Sequence, residues 1–288
     1  MNSTAKDYNS ISPTAEYLVR LKALTQIPFA KEAAAILNSR SPAPAPAEGV
    51  DPKAFIKWLI HFENRYWTVE KLLRKTHPQH ILEISSGYSF RGLAWCFEKA
   101  VHFIDTDLPD VVASKSKLTE ELVAGHTSAM KGKPELLPLN VMDTESFNAV
   151  INRFGEGAVS IVNEGLLMYL GGEEKKKLCN TIREVLITRG GYWITGDVYV
   201  RQEGKDTVTL NAAAAAFRKQ HRIDENMFSS FEEAEQLFVS CGLEVMGREG
   251  LAIDELSCLD LPGVNKNEIT VFMKSKPLMR ESWCLRAK

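Results

Sequence analysis

An α/β fold with a mostly parallel, doubly wound sheet is predicted for this 288-residue chain by three observations. Short strand-like apolar runs alternate with helical segments, the first run ends in a turn of small residues, and the last two runs follow each other with no helix between them. The alternating runs are "HILEI", "VHFIDTD", "ELLPLN", "AVSIVNE" and "GYWITGD". Between them stand "FRGLAWCFEK", "DVVASKSKLTEELV", "TESFNAVINRF" and "EEKKKLCNTIREVLITRG". Parallel neighbours need a crossover of about a dozen residues or more, which these helical segments supply. The closing runs, "LEVMGR" (243–248) and "EITVFMKS" (268–275), are joined by a loop and so predict an antiparallel pair. The sheet expected is seven-stranded and mostly parallel, with an antiparallel last strand.

Helix ends are marked where the physics asks for them. The segment after Gly171-Gly172 opens with Glu173 and Glu174 and closes with Arg189-Gly190, as the helix dipole and the C-terminal glycine preference require. "SFEEAEQLFVSCG" carries a capping box, Ser230 with Glu233, and a terminal Gly242. Ahead of the strands, Tyr17, Leu18, Leu21 and Leu24 recur at helical spacing within 14–37, and Phe55, Trp58, Leu59 and Phe62 do so within 53–74. The prolines of "SPAPAPAEGVDP" interrupt them. The chain therefore divides into an N-terminal helical cap, 1–76, with a Pro/Ala-rich loop at 41–52, an α/β domain, 77–276, and a C-terminal tail, 277–288. Residues 199–228, with five consecutive alanines favouring helix, form a candidate lid; a plain surface helix explains them equally well. Trp58, Trp67 and Trp193 read as core residues.

Composition narrows the partners. Lys and Arg number 35 against 37 Asp and Glu, a formal net charge of −2, so no basic face for nucleic acid or anionic lipid is expected and a small molecule is the better partner. Five cysteines without a C-x-x-C suggest neither a disulfide framework nor a metal site, and hence a reducing compartment. "MNSTAKDYNSISPTAEY" has no signal pattern and no apolar run is long enough for a membrane helix, so a cytoplasmic location is expected. Nothing in the sequence sets the oligomeric state.

Chemistry concentrates around "ILEISSGYSFRGLAWCF", residues 81–97. In doubly wound sheets the first strand-to-helix turn lets backbone approach a cofactor, and small residues at 85, 86, 87 and 89 suit that; a plain tight turn capped by Ser89 explains them too. The second strand ends in Asp105 and Asp107, 18 and 20 residues after Gly87, where an acid accepts from the hydroxyls of an adenosine ribose. Either acid serves that role, and Asp107 also suits a helix cap. The absence of G-K-[ST], G-x-S-x-G and H-E-x-x-H weighs against P-loop, hydrolase-elbow and zinc-protease chemistry.

With "FIDTDLPDVVASK" and "VNEGLLMYL" following in order, this stretch resembles the S-adenosylmethionine-dependent methyltransferases of the leucine carboxyl methyltransferase family, which includes polyketide O-methyltransferases. "DLPDV" (107–111) and "EGLLMYL" (164–170) are the most specific parts, and the similarity spans roughly 60–200. The resemblance implies a Rossmann-like class I methyltransferase fold with S-adenosyl-L-methionine as cofactor and S-adenosyl-L-homocysteine as product. It implies further that Glu83, Ser85 and Gly87 form the first cofactor turn, that Arg91 follows it, and that Asp107 holds the ribose. Asn140, where the family commonly has aspartate, and Val141 would stand at the adenine, Glu164 at the methionine side, and Arg65 at the cofactor carboxylate.

Oxygen methylation of a small-molecule carboxylate or phenol is the activity this implies. A carboxylate acceptor is already nucleophilic, whereas a hydroxyl gains from a general base. Tyr169 and His221 are the candidate bases, with His126 a third; His126 and His221 read as solvated surface and Tyr169 as a cleft wall. Asp197, just past the fifth strand, suits a substrate contact or a cap equally. The competing readings are a non-catalytic cofactor-binding or interaction protein on the same fold, and an NAD-dependent enzyme.

Overall fold

The computed structural model describes residues 13–40, 52–201 and 212–288. The chain begins with α1 (Pro13–Lys22), α2 (Ala30–Arg40) and α3 (Pro52–Lys75). Then come β1 (His80–Ile84), α4 (Arg91–Glu98), β2 (His102–Asp107), α5 (Pro109–Ala124), β3 (Lys133–Pro138), α6 (Thr144–Ile151) and β4 (Val159–Asn163). A short 3-10 turn at Leu167–Tyr169 leads to α7 (Gly172–Arg189), β5 (Trp193–Tyr199), α8 (Ala212–Gln220), α9 (Ile223–Asn226), α10 (Phe231–Ser240) and β6 (Leu243–Glu249). Two further 3-10 turns, Ile253–Glu255 and Ser257–Asp260, precede α11 (Lys266–Ser275) and β7 (Arg280–Ala287).

The seven strands lie in the order β3-β2-β1-β4-β5-β7-β6. β1 to β5 run parallel, and β7 is antiparallel to both β5 and β6. Strand order reverses between β1 and β4, which places the switch point beside the turn after β1. One core face gathers Leu82, Ile104, Phe147, Ile161, Leu178, Trp193, Phe238 and Trp283; the other gathers Leu73, Ile81, Trp95, Phe103, Val162 and Ile194. Trp193 is wholly buried, while Trp58 and Trp67 are only partly so.

Three expectations need correction. The run "EITVFMKS", whose β-branched residues suggest a strand, is helix α11, capped by Asn265, whose Oδ1 accepts from Glu268 N at 3.2 Å; it buries no residue. The seventh strand is instead β7, within the segment expected as a tail, and it sits between β5 and β6. Its charges hid it: Arg280 is buried because its guanidinium donates to Gly196 O, Ser282 Oγ and Thr68 Oγ1. The boundary at 76 also fails as a domain limit. Val69, Leu72 and Leu73 of α3 pack with Ile81, Val162, Ile194 and Cys284, so the last turns of α3 belong to the sheet's own helical layer.

The helix expected across 14–37 is two helices, α1 and α2, separated near Phe29 at positive φ. The Pro/Ala-rich loop at 41–52 falls outside the described residues up to 51, with Pro52 opening α3. Ala212–Ala216 are helical in α8, and the candidate lid otherwise runs partly outside the described residues, at 202–211. Among the described residues no helix is long and apolar enough to cross a membrane. The five cysteines are buried and unpaired.

Candidate functional site

The turn after β1 is built by its own backbone and by Asp107. Ser85 and Gly87 both hold positive φ, 52° and 50°, a conformation costly for serine and free for glycine. Ser86 N donates to Thr106 O at 2.9 Å and Gly87 N to Asp107 Oδ2 at 2.7 Å, tying the turn to the end of β2. Asp107 Oδ1 accepts from Leu108 N at 2.7 Å. Each carboxylate oxygen thus meets one backbone donor and keeps further acceptor capacity. The helix-cap reading of Asp107 is not realised, because the N-cap of α5 is Leu108 and no side chain caps it; Asp107 ties the turn instead, and the ribose reading stays open. Leu139 N donates to Asp107 O at 2.8 Å, which brings the end of β3 alongside. There Asn140 is exposed, its Oδ1 accepting from Met142 N at 3.0 Å, and Val141 is buried in the core. Asp143, three residues on, caps α6.

Glu83 and Asp105 lie beneath the turn, side by side in register across β1 and β2. Lys115 joins Asp105 at 3.3 Å and donates to Ser86 Oγ at 2.9 Å. Asp105 is therefore committed inside the fold, and of the two acids only Asp107 stands at the strand end. Burial, offset in part by Arg91 and reinforced by Asp105, lifts the Glu83 carboxyl to about 7.

Arg91, the first residue of α4, is fully buried and meets three carboxylates. It donates to Glu70 Oε2 at 2.9 Å, approaches Glu83 Oε1 at 3.5 Å and pairs with Glu164, while its guanidinium lies 4.2 Å from the Tyr66 ring centroid. Its interior charge is compensated on several sides, as burial demands. Burial alone would lower its pKa, but Glu164 and Glu83 hold it above the ordinary arginine value.

Glu164 directly follows β4 and lies between two guanidiniums, Arg91 and Arg65, the latter 3.4 Å away through Nε. Burial pushes its pKa up, yet Arg91, Lys22 and Arg65 together draw it below the usual carboxylate value. Lys22, at the end of α1, was not foreseen; burial lowers its pKa although Glu164 faces it. The close approach of Arg65 and Glu164 depends on Gly196 of β5, where a Cβ would lie 3.2 Å from Arg65 Cγ and 3.3 Å from Glu164 Cγ. Arg65 Nε and Glu164 Oε2, the two atoms of that ion pair, are both buried and neither makes a hydrogen bond.

β5 changes register between Thr195 and Val198, and this irregularity turns Asp197 toward the loop after β4. Its carboxylate accepts from Gly165 N at 2.6 Å, Leu166 N at 2.6 Å, Leu167 N at 3.1 Å and Asn163 Nδ2 at 2.8 Å. Of the two readings of Asp197, the structure realises the cap. Tyr199, the last residue of β5, accepts from Arg65 NH1 at 3.1 Å and lies 3.0 Å from His61 Nε2. Neither Tyr199 nor His61 carried a sequence signal beyond its place near a strand end or one turn before Arg65.

The candidate bases separate. His126 is on the surface, its ring centroid 4.2 Å from that of Phe97 with the planes tilted by 43°. His221, expected there too, is buried, with Phe217 at 4.3 Å and Tyr169 edge-on at 6.0 Å, because α8 and α9 fold back over the 3-10 turn. Asn226 Nδ2 donates to Met168 O at 3.1 Å and holds that contact. Burial pushes the Tyr169 phenol up to about 12. Among the described residues no group of three His, Cys, Asp or Glu is placed to hold a metal ion.

No protein-family model and no curated protein matches the chain. Solved structures do. A DUF574 family protein from Streptomyces avermitilis aligns over 96% of this chain and 97% of its own, at 14% identity and a TM-score of 0.51. Mitomycin 7-O-methyltransferase MmcR aligns over 99% of this chain and 76% of its own, at 13% identity and a TM-score of 0.49. Magnesium protoporphyrin IX methyltransferase ChlM from Synechocystis PCC 6803, with bound SAH, aligns over 95% and 99% at 7% identity and a TM-score of 0.49. At such identities the likeness is one of fold alone, and together with the strand order it defines a Rossmann-like α/β sheet with antiparallel last strands.

Proposed function

We propose that the chain is an S-adenosylmethionine-dependent methyltransferase acting on oxygen of a small-molecule acceptor, a carboxylate or a phenol. The observation that carries the reading is a pair of complementary features at the carboxyl ends of the central strands. Asp107 keeps acceptor capacity on both oxygens beside a positive-φ turn, and Arg65 with Glu164 forms a buried ion pair, 3.4 Å apart, whose two facing atoms make no hydrogen bond. The first suits ribose hydroxyls; the second suits a zwitterionic amino-acid end, its ammonium toward Glu164 and its carboxylate toward Arg65 and Lys22. Asn140 and Val141 would stand at the base. Ser85 and Gly87 would shape the turn, with Glu83 and Arg91 fixing it from beneath.

When bound, S-adenosylmethionine supplies an activated methyl group, so the protein's own task is to align the acceptor and exclude water. Tyr169, kept protonated by burial, is a poor proton acceptor at neutral pH, which favours an acceptor that is already ionised. The fold-back of α8 and α9 supports a covering role for 199–228. Unpaired buried cysteines are in keeping with a cytoplasmic setting.

Calorimetric titration with S-adenosylmethionine, S-adenosylhomocysteine and NAD tests the reading. Binding of both sulfur nucleotides is expected, with methyl transfer to a carboxylate or phenol in an acceptor panel. Binding of NAD alone would overturn it in favour of a dehydrogenase. Binding of the sulfur nucleotides without turnover on any acceptor would make the chain a non-catalytic binder.

A further inference from the structure

A continuous chain of polar contacts runs from α3 across the end of β5 and back to β4. His61 Nε2 lies 3.0 Å from Tyr199 Oη, Tyr199 Oη 3.1 Å from Arg65 NH1, and Arg65 Nε 3.4 Å from Glu164 Oε2. A guanidinium only donates, so Tyr199 Oη accepts from Arg65. The direction of the Tyr199–His61 bond follows the imidazole tautomer: a bare Nε2 takes the phenolic proton, whereas an Nε2–H or an imidazolium would donate to the second lone pair of Oη.

The surroundings keep the imidazole neutral. Burial comes first, followed by the positive charges of Arg65, Arg280 and Arg218, and together they push the His61 pKa well below its ordinary value. His61 is thereby a poor general base, yet with Nε2 bare it is an acceptor for the Tyr199 hydroxyl.

We propose that His61 is a positioning residue: by accepting the Tyr199 proton it aims the phenolic oxygen at Arg65 and so holds the Arg65–Glu164 pair ready for a zwitterionic ligand. This rests on the methyltransferase reading above. Its distinguishing consequence is that His61 acts only through Tyr199. Removing either residue releases the same guanidinium, and removing both does no further harm.

Two measurements test it. The first is calorimetric affinity for S-adenosylhomocysteine in the wild type, Tyr199→Phe, His61→Phe, His61→Gln and the His61→Phe/Tyr199→Phe double variant, with thermal melts to confirm folding. Tyr199→Phe is expected to weaken binding about tenfold, the order for a hydrogen bond to a charged group. His61→Phe should approach that loss, the double variant should match Tyr199→Phe, and His61→Gln should restore affinity because its amide oxygen still accepts. The second is nitrogen NMR of the wild-type imidazole, which should show a neutral ring protonated at Nδ1 at pH 7. Wild-type binding with unchanged affinity in His61→Phe, or losses that multiply in the double variant, would overturn the inference alone. An imidazolium or an Nε2-protonated ring would do the same even if the variants failed to fold. A wild type that binds no S-adenosylhomocysteine would overturn the methyltransferase reading and this inference with it.

Discussion

The two sides of the candidate site are held by different physics. On the β1–β2 side the turn is fixed by backbone donors: Ser86 N to Thr106 O, Gly87 N to Asp107, Leu108 N to Asp107. On the β4–β5 side the fixing is done by buried side-chain charges, with Glu164 set between Arg65 and Arg91 and Arg91 set among Glu70, Glu83 and Glu164. Loss of the Asp107 side chain would free two of those backbone donors but leave the bond from Ser86 N to Thr106 O in place. A buried ion cluster has no such reserve, because removing one member leaves the others charged and unpaired in a low-dielectric interior. The first side should therefore tolerate substitution with local consequences, and the second should fail cooperatively.

Arg91→Ala is the sharpest way to break that contrast. It strips one cation from three carboxylates, and a loss of about 3–5 kcal/mol in folding stability is expected, by analogy with other broken buried pairs. Urea denaturation of the wild type and the variant measures it directly. A loss below about 1 kcal/mol would mean that water reaches the cluster and that the two sides do not differ in kind.

Asp107→Ala sharpens the comparison from the other side. It should leave the sheet folded, since the Ser86–Thr106 bond remains, and act mainly on the ligand. A weakening of S-adenosylmethionine binding by roughly 1.5–3 kcal/mol is expected, the loss of a charged acceptor. Unchanged affinity would remove Asp107 from the ribose role. Asp105, tied to Lys115 inside the fold, would be a poor substitute.

The two sides also differed in how far the sequence revealed them. The turn was legible because small residues, a strand end and an acid at fixed spacing are local signals, and the five parallel strands were legible for the same reason. The charged side was legible only in part. Arg65 and Glu164 entered through the family resemblance, while Lys22, His61 and Tyr199 come from helices and a strand distant in sequence, which only the tertiary fold brings together. β7 was missed for a related cause. Its Arg280 and Ser282 look solvated until the partners that bury them, Thr68 and Gly196, are known. Exposed α11 was mistaken for a strand because Ile269, Thr270 and Val271 carry β propensity, and only the Asn265 cap marks the helix.

The smallest expected effect lies where the two sides meet, at Glu83. Its carboxyl is raised to about 7 by burial, against Arg91 and with Asp105, whereas in the unfolded chain it titrates at the ordinary value. The folded state therefore binds this proton more tightly than the unfolded state does. The stabilisation from that difference is fully present below the unfolded pKa and is lost as pH rises through the folded one. Between pH 5 and pH 8 wild-type stability should fall by up to about 2 kcal/mol from this group, a change that Glu83→Gln, with no proton to lose, should flatten. Urea midpoints of both proteins at several pH values read the slope. Parallel slopes would show that Glu83 stays ionised throughout, in which case Arg91 outweighs burial and the charged side extends beneath the turn as well.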